Sequence, residues 1–584
     1  MTCALLASGA LVAAFASARA IVRTRAVLLL GRCGGALAPS LLAVLWLLGL
    51  LAGQVTHSVA GMAVGGAVVL LTLAVLVRGR FAPLRIRRPR WTGLDWAMFL
   101  FVALVFWSVD LWDLGVHTAL IAQFLHGNIP ARALNDPRFP LAYHGVYDGV
   151  AAIVMTALPI DAQPAMAIVS TACVALTLSN LQALSRALFR RPALAQLGRA
   201  LFIFGFGPII IRGIAGGWSL DQIHGQSAQS YVELILRRPA GLGMAVFTFA
   251  VALIIPCYGG EPERLRRLPW LAPLLLVLPQ ISEEAVLFLF VYLAPLLLAR
   301  RLPARTIAAL LVATVLGALQ SGVVLGVCGH RSMATPTIHL AWPPRLPTWI
   351  VEQTGVSLLS KQAAVFYAFE LGPFFLCALV LALIGRDSGP RVIGGAFLMG
   401  AAVAIFASTG VWKKSDLDRF LFYGTPPVFM LVADLPERIF RALRRSRSAP
   451  RAVLAGLGLL VCGPSTIYPG WQAQMRLRDG FRAHTIGGDL RRKLEAVGPR
   501  EPILTTVDRA NELIAAGFLV IAPIETNEVT RVTPALFDDY VRANASRAVW
   551  LFLPENDPRV AGPPPVARDG SYLLCHARVG RAPD

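Results

Sequence analysis

Lysine is almost missing from this chain. Only Lys361, Lys413, Lys414 and Lys493 occur among its 54 basic residues, so arginine supplies nearly all the positive charge. Charged residues of any kind make up 15% of the sequence, where a soluble domain carries about 25%. Cysteine is sparse and scattered: positions 3, 33, 173, 257, 328, 377, 462 and 575 contain no Cys-x-x-Cys pair, which removes the common zinc and dithiol readings. No glycine-rich phosphate loop, internal repeat or low-complexity tract is present, so neither a nucleotide-cradling site nor a solenoid is expected.

Long apolar runs fill the space these absences leave. The chain is 56% hydrophobic with a mean hydropathy of +0.63, which predicts a polytopic membrane protein. The net charge of +21 raises the question of nucleic acid. The arginines argue against it, because they sit in short blocks between apolar runs. Arg78, Arg80, Arg85, Arg87, Arg88 and Arg90 form one block; Arg438, Arg441, Arg444, Arg445, Arg447 and Arg451 form another. Blocks of this kind mark cytoplasmic loops. The alanine-, arginine- and glycine-rich style fits a high-GC bacterium, and the expected location is the bacterial inner (plasma) membrane.

Three regions follow. Residues 1–36 are an apolar, then basic, N-terminal segment. Residues 37–466 are predicted to hold about thirteen crossings, a count that omits 3–21 and 142–158. The span near 94–109 runs outward and delivers the loop 110–148. The segment 142–158 is expected to be a partly inserted juxtamembrane helix, with 163–183 as the return crossing, because two crossings would put Arg186, Arg190 and Arg191 outside. Similarly, 269–299 is expected to be two short helices meeting at Glu283 and Glu284 in a recessed hairpin. Residues 467–584 lose the long apolar runs. PILTTV, FLVIAP, AVWLFLP and SYLLCHARV read as strands and 484–496, 508–516 and 533–545 as helices, giving a small α/β domain on the outer side. Cys328 and Cys575 both fall on that side and could pair.

The loop 110–148 holds a density of ionisable groups unmatched in the other apolar segments, and polar groups at the edge of hydrocarbon are expensive. Asp110 and Asp113 flank Leu111 and Trp112, and His117 lies four residues after Asp113, on the same face if the loop begins helically. A carboxylate in a partly desolvated site suits a general base. Tyr143 and His144 end the loop where the chain turns apolar again, placed to hydrogen-bond a substrate or anchor the interface. Glu283 and Glu284 would have to be paired or protonated if recessed. Lys413, Lys414 and Arg419 put cations in the last short outer loop, against the positive-inside trend, where they could hold a phosphate. Asp110 and Asp113 offer part of a shell for a divalent cation, but two carboxylates alone do not complete one.

Three stretches carry a resemblance: WDLGVHTALIAQFLHGNIP, FPLAYHGVYDGVAAIV and DRFLFYGTPPVFMLVA. In order and sidedness they are similar to the C-type glycosyltransferase (GT-C) superfamily, in particular bacterial members that transfer mannose or aminoarabinose from a polyprenyl-phosphate carrier. The resemblance implies an integral-membrane transferase with an extracytoplasmic active site. Its donor would be a polyprenyl-phosphate-linked sugar, and its acceptor an envelope glycan, lipid or protein. It implies that Asp113 or Asp110 is the base and that Arg419 is the family's late arginine. The family's usual adjacent acid pair is replaced here by Asp-x-x-Asp. Two other classes compete. A transporter or flippase of a lipid-linked sugar would use the same charges without chemistry, though the internal repeats frequent in transporters are missing. An assembly protein would use the outer domain to recruit a partner.

Overall fold

In the computed structural model of the chain, the described residues are 53–66 in part, 91–108, 114–129, 145–205, 238–320, 338–340, 377–382, 388–409, 419–434, 488–521 and 548–578, isolated positions excepted. They are mostly helical, with a small sheet near the C-terminus. The helices in the first part are α1 (Gly93–Ser108), α2 (Leu114–Leu125), α3 (Val146–Ala157), α4 (Ala162–Leu188), α5 (Pro192–Phe204) and α6 (Arg238–Ile254). Then come α7 (Leu271–Val277), α8 (Glu283–Leu298) and α9 (Ala304–Gln320), a short strand β1 (Ile338–Leu340), α10 (Ser388–Phe406), β2 (Ala407–Thr409) and α11 (Arg419–Val432).

The long helix α4 is the hub. Its 27 residues reach about 40 Å, and α1, α3, α5 and α6 all pack on it. Helices in a packed bundle are held by close approach and by interhelical hydrogen bonds. Both are present. Asn180 on α4 donates from Nδ2 to the Ala245 carbonyl of α6 at 2.9 Å, deep in the core. At Gly317 a Cβ would lie 2.5 Å from the Leu275 carbonyl oxygen, so only glycine lets α9 approach α7 this closely.

Among the described residues, two helices are long and apolar enough to cross a membrane, Pro164–Leu188 and Ala240–Gly259. Shorter apolar helices include Gly93–Leu104, Glu284–Leu298 and Thr306–Ala318. The segment expected to be juxtamembrane is the 12-residue α3, about 18 Å long and too short to span. The hairpin expected at 269–299 breaks just before the glutamates: α7 gives way to a single 3-10 turn, Leu278–Gln280, and Ser282 caps α8 by accepting from the Ala285 amide. The two arms are unequal, at 7 and 16 residues.

The C-terminal region contains α12 (Gly488–Lys493), β3 (Pro502–Thr505), α13 (Val507–Ala515), β4 (Leu519–Ile521), β5 (Ala548–Pro554), β6 (Ala567–Asp569) and β7 (Tyr572–Arg578). The strands order as β4-β3-β5-β7-β6; β3 runs parallel to β4 and β5, while β7 is antiparallel to β5 and β6. The period-two alternation of AVWLFLP puts Trp550 and Phe552 on one face and Leu551 and Leu553 on the other. The first face joins the core of the helical body; the second forms its own cluster with Leu504, Ile521, Val560 and Cys575. All four expected strands form. Cys575, which could have paired with Cys328, is a free thiol buried in that second cluster, and burial pushes its pKa up. The N-terminal segment 1–36 and the expected helix 533–545 lie outside the described residues.

Candidate functional site

The expected site residues divide three ways. Asp110, Asp113, Tyr143, His144, Lys413 and Lys414 lie outside the described residues. Glu283 and Arg419 are placed by backbone alone, as the first residues of α8 and α11. His117 and Glu284 are described in full.

His117 lies in the first turn of α2, immediately after the loop acids in sequence, and it is buried. Its Nδ1 stands 2.9 Å from Oδ1 of Asp148, a wholly buried carboxylate in the first turn of α3. Thirty-one positions separate the two in sequence. With Asp148 ionised, Nδ1 donates, which makes Nε2 the basic ring nitrogen. A carboxylate near a helix N-terminus is also favoured by the helix dipole. Next to it, Tyr147 holds α3 to α4: its hydroxyl donates to the Met166 carbonyl at 2.9 Å, and the Ser170 hydroxyl lies 2.8 Å away to donate in turn. The His117 and Tyr147 rings meet edge to face with centroids 6.0 Å apart.

An aliphatic cavity of about 140 Å³ runs beside this network. Val146, Val150 and Val154 line it along one face of α3, with Cys173 on α4 opposite. Its far wall includes Ile281, the residue before the Ser282 cap. There Glu284, half-buried, accepts from the Ser282 hydroxyl at 2.7 Å. The cavity lining thus includes Val146, two residues before Asp148, and Ile281, three residues before Glu284.

A short strand pair was not foreseen. β1 pairs antiparallel with β2, Ile338 opposite Thr409, which ties residues 338–340 to the three residues that follow α10. Sequence reasoning also missed Asp148 as a site residue and a separate buried pair, Asp95–Arg199. Both carried a signal, since each is an ionisable group inside an apolar helix. Among the described residues no three His, Cys, Asp or Glu side chains gather as a metal site, and the two acids that might start one are not among those residues.

No protein-family model matches the chain, and no curated protein matches it.

Proposed function

We propose that this chain is a polytopic membrane glycosyltransferase of the C type. It would move a sugar from a polyprenyl-phosphate donor to a glycan, lipid or protein acceptor outside a bacterial plasma membrane. The observation that carries the reading is the buried His117–Asp148 pair, set beside an aliphatic cavity at the base of an acid-rich loop. A proton-handling group next to space for an apolar chain suits a substrate with a charged head and a hydrocarbon tail.

Exposed side chains support membrane embedding. Trp96, Leu100 and Leu104 form an exposed stripe at four-residue spacing on α1, and Leu311, Val312, Val315 and Leu316 do the same on α9. Such faces are unfavourable in water and ordinary against lipid. The positive-inside pattern then puts the loop, the hairpin glutamates and the C-terminal domain on the outer side.

In the proposed step a base takes the proton of the acceptor hydroxyl. That oxygen bonds to the anomeric carbon as the bond from this carbon to the phosphate oxygen breaks. The phosphate leaves with the electron pair as polyprenyl phosphate. Asp113 or Asp110 is the proposed base, and Asp148 holds His117 in one tautomer to orient that carboxylate or relay its proton. Arg419, with Lys413 and Lys414, offsets the charge growing on the phosphate. Tyr143, His144, Glu283 and Glu284 are assigned to substrate binding.

The test uses purified full-length protein with a panel of polyprenyl-phosphate sugars, following release of polyprenyl phosphate. Turnover by wild type that Asp113→Asn or Asp110→Asn abolishes, with donor binding kept, supports the transferase and identifies its base. Donor binding without turnover across donors and acceptors rejects it in favour of the flippase.

A further inference from the structure

The C-terminal domain meets the helical body at the helix that carries His117. α13 packs directly on α2, and its Ala510 and Leu513 belong to the same buried core as Leu120, Ile121 and Phe124 of α2. α13 is amphipathic, with Ala510 and Leu513 buried three apart and Asp508 and Glu512 exposed. α13 also packs on β4 and α12 of its own domain. The helix α2, in turn, is shared between α3 and α13.

We infer that α13 is a positioning element for the His117–Asp148 pair, so that the pair assembles fully only while the C-terminal domain is docked. A 12-residue helix is marginal alone and is held by what packs on it. The Nδ1–Oδ1 contact is 2.9 Å, and a hydrogen bond is lost beyond about 3.5 Å, so a shift of α2 by well under one helical turn separates the two groups. Leu513 and Ala510 therefore act on the site through α2, without touching substrate. The inference rests on the transferase reading only where activity is measured.

The experiment is amide hydrogen exchange on the full-length protein in detergent, comparing Leu513→Ala with Leu551→Ala. Leu551 lies in the cluster on the opposite face of the sheet, so its truncation weakens the domain without touching the α13 face that meets α2. Leu513→Ala is expected to speed exchange at 114–125 and 145–150 by about tenfold or more, with Leu551→Ala leaving both segments as in wild type. Leu513→Val must give the same pattern at smaller amplitude, which guards against a variant that merely unfolds. Exchange at 114–125 that is unchanged in Leu513→Ala, or raised equally by both truncations, overturns the inference. In the activity arm, Leu513→Ala lowers turnover with donor KM unchanged, Leu513→Met restores it, and the loss vanishes in a His117→Ala background. Additive losses overturn the inference. No turnover in wild type rejects the transferase reading and leaves the exchange result to decide this one.

Discussion

Two of the carboxylates buried among the described residues of the helical body, Asp95 and Asp148, are treated differently. Asp95 is saturated with fixed donors. It opens α1 in a capping box: its Oδ2 accepts from the Thr92 amide at 2.9 Å and hydroxyl at 2.8 Å, and its own amide points back to Thr92 Oγ1 at 3.3 Å. Arg199 of α5 then grips both oxygens, at 2.7 and 2.9 Å, while its remaining nitrogen reaches Ser185 of α4 at 3.1 Å. A guanidinium does not change charge at any ordinary pH, so this is a fork that fastens three helices. Asp148 faces an imidazole instead, the side chain best suited to gain and lose a proton near neutrality. A permanently charged, fully bonded pair suits a clamp; a titratable pair suits chemistry.

The contrast breaks most visibly through activity. His117→Ala is expected to lower turnover per folded molecule by about 10²–10⁴-fold, with a lowered melting temperature as well, because it leaves the buried Asp148 carboxylate without its imidazole partner. Asp148→Asn should cost a similar factor, and the double variant little more than either alone, because the two act as a unit. Kinetics on the purified variants would check this, and full additivity would separate the residues into independent roles. The clamp responds in stability. Arg199→Met leaves the Asp95 carboxylate buried without its partner and should cost about 3–5 kcal/mol. The sharper comparison replaces both members of each pair with apolar residues. Asp95→Leu with Arg199→Met should recover most of the lost stability and keep activity, since an apolar pair of similar volume often does as well. His117→Phe with Asp148→Leu should keep the fold and remain inactive. Thermal melts beside the turnover assay decide it, and an active His117→Phe/Asp148→Leu protein would make the two pairs equivalent.

A smaller effect probes packing away from both pairs. Gly317→Ala brings a methyl group against the Leu275 and Leu276 backbone, which cannot yield as a side chain would, and overpacking of this kind costs about 1–3 kcal/mol. A lowered melting temperature with unchanged turnover per folded molecule is the expected result.

What the sequence made legible follows from which forces are local. The strands β3, β5 and β7 announce themselves as short apolar runs set between turn-forming residues, and the α7–α8 break by two acids within an apolar run. The unforeseen strands β1, β2 and β6 are three residues each, and such pieces exist only through a partner distant in the chain. The His117–Asp148 contact belongs to the same class: His117 was visible as a loop histidine, but its partner depends on how α2 folds back along α3. Arg199 offered a local clue, a single cation in the middle of LAQLGRALFIF, but not the identity of the acid 104 positions earlier. The seat of α13 on α2 was illegible for that reason too, because an amphipathic helix shows that it has an apolar face and not what covers it.

A third carboxylate, near the surface, sets the scale for the two buried ones. Asp569 receives Lys493 of α12 and Arg509 of α13, and Arg509 also lies over the Phe552 and Tyr572 rings with its guanidinium carbon 5.4 and 5.3 Å from their centroids. Lys493, then Arg509, holds the Asp569 carboxyl below its ordinary range, against the opposing effect of burial. A folded-state pKa lower than the unfolded one means that the contribution is complete above the unfolded value, about 3.9, and fades as pH falls through the folded one. The difference in melting temperature between wild type and Asp569→Asn should therefore be constant from pH 8 to about pH 5 and shrink below about pH 4. Its size should be modest, near 1 kcal/mol, because Lys493 is half exposed and water screens the pair. A difference that instead grew on acidification, or that matched the loss in Arg199→Met, would show that partial exposure does not weaken this pair, and the distinction drawn between surface ties and the buried fork would fall.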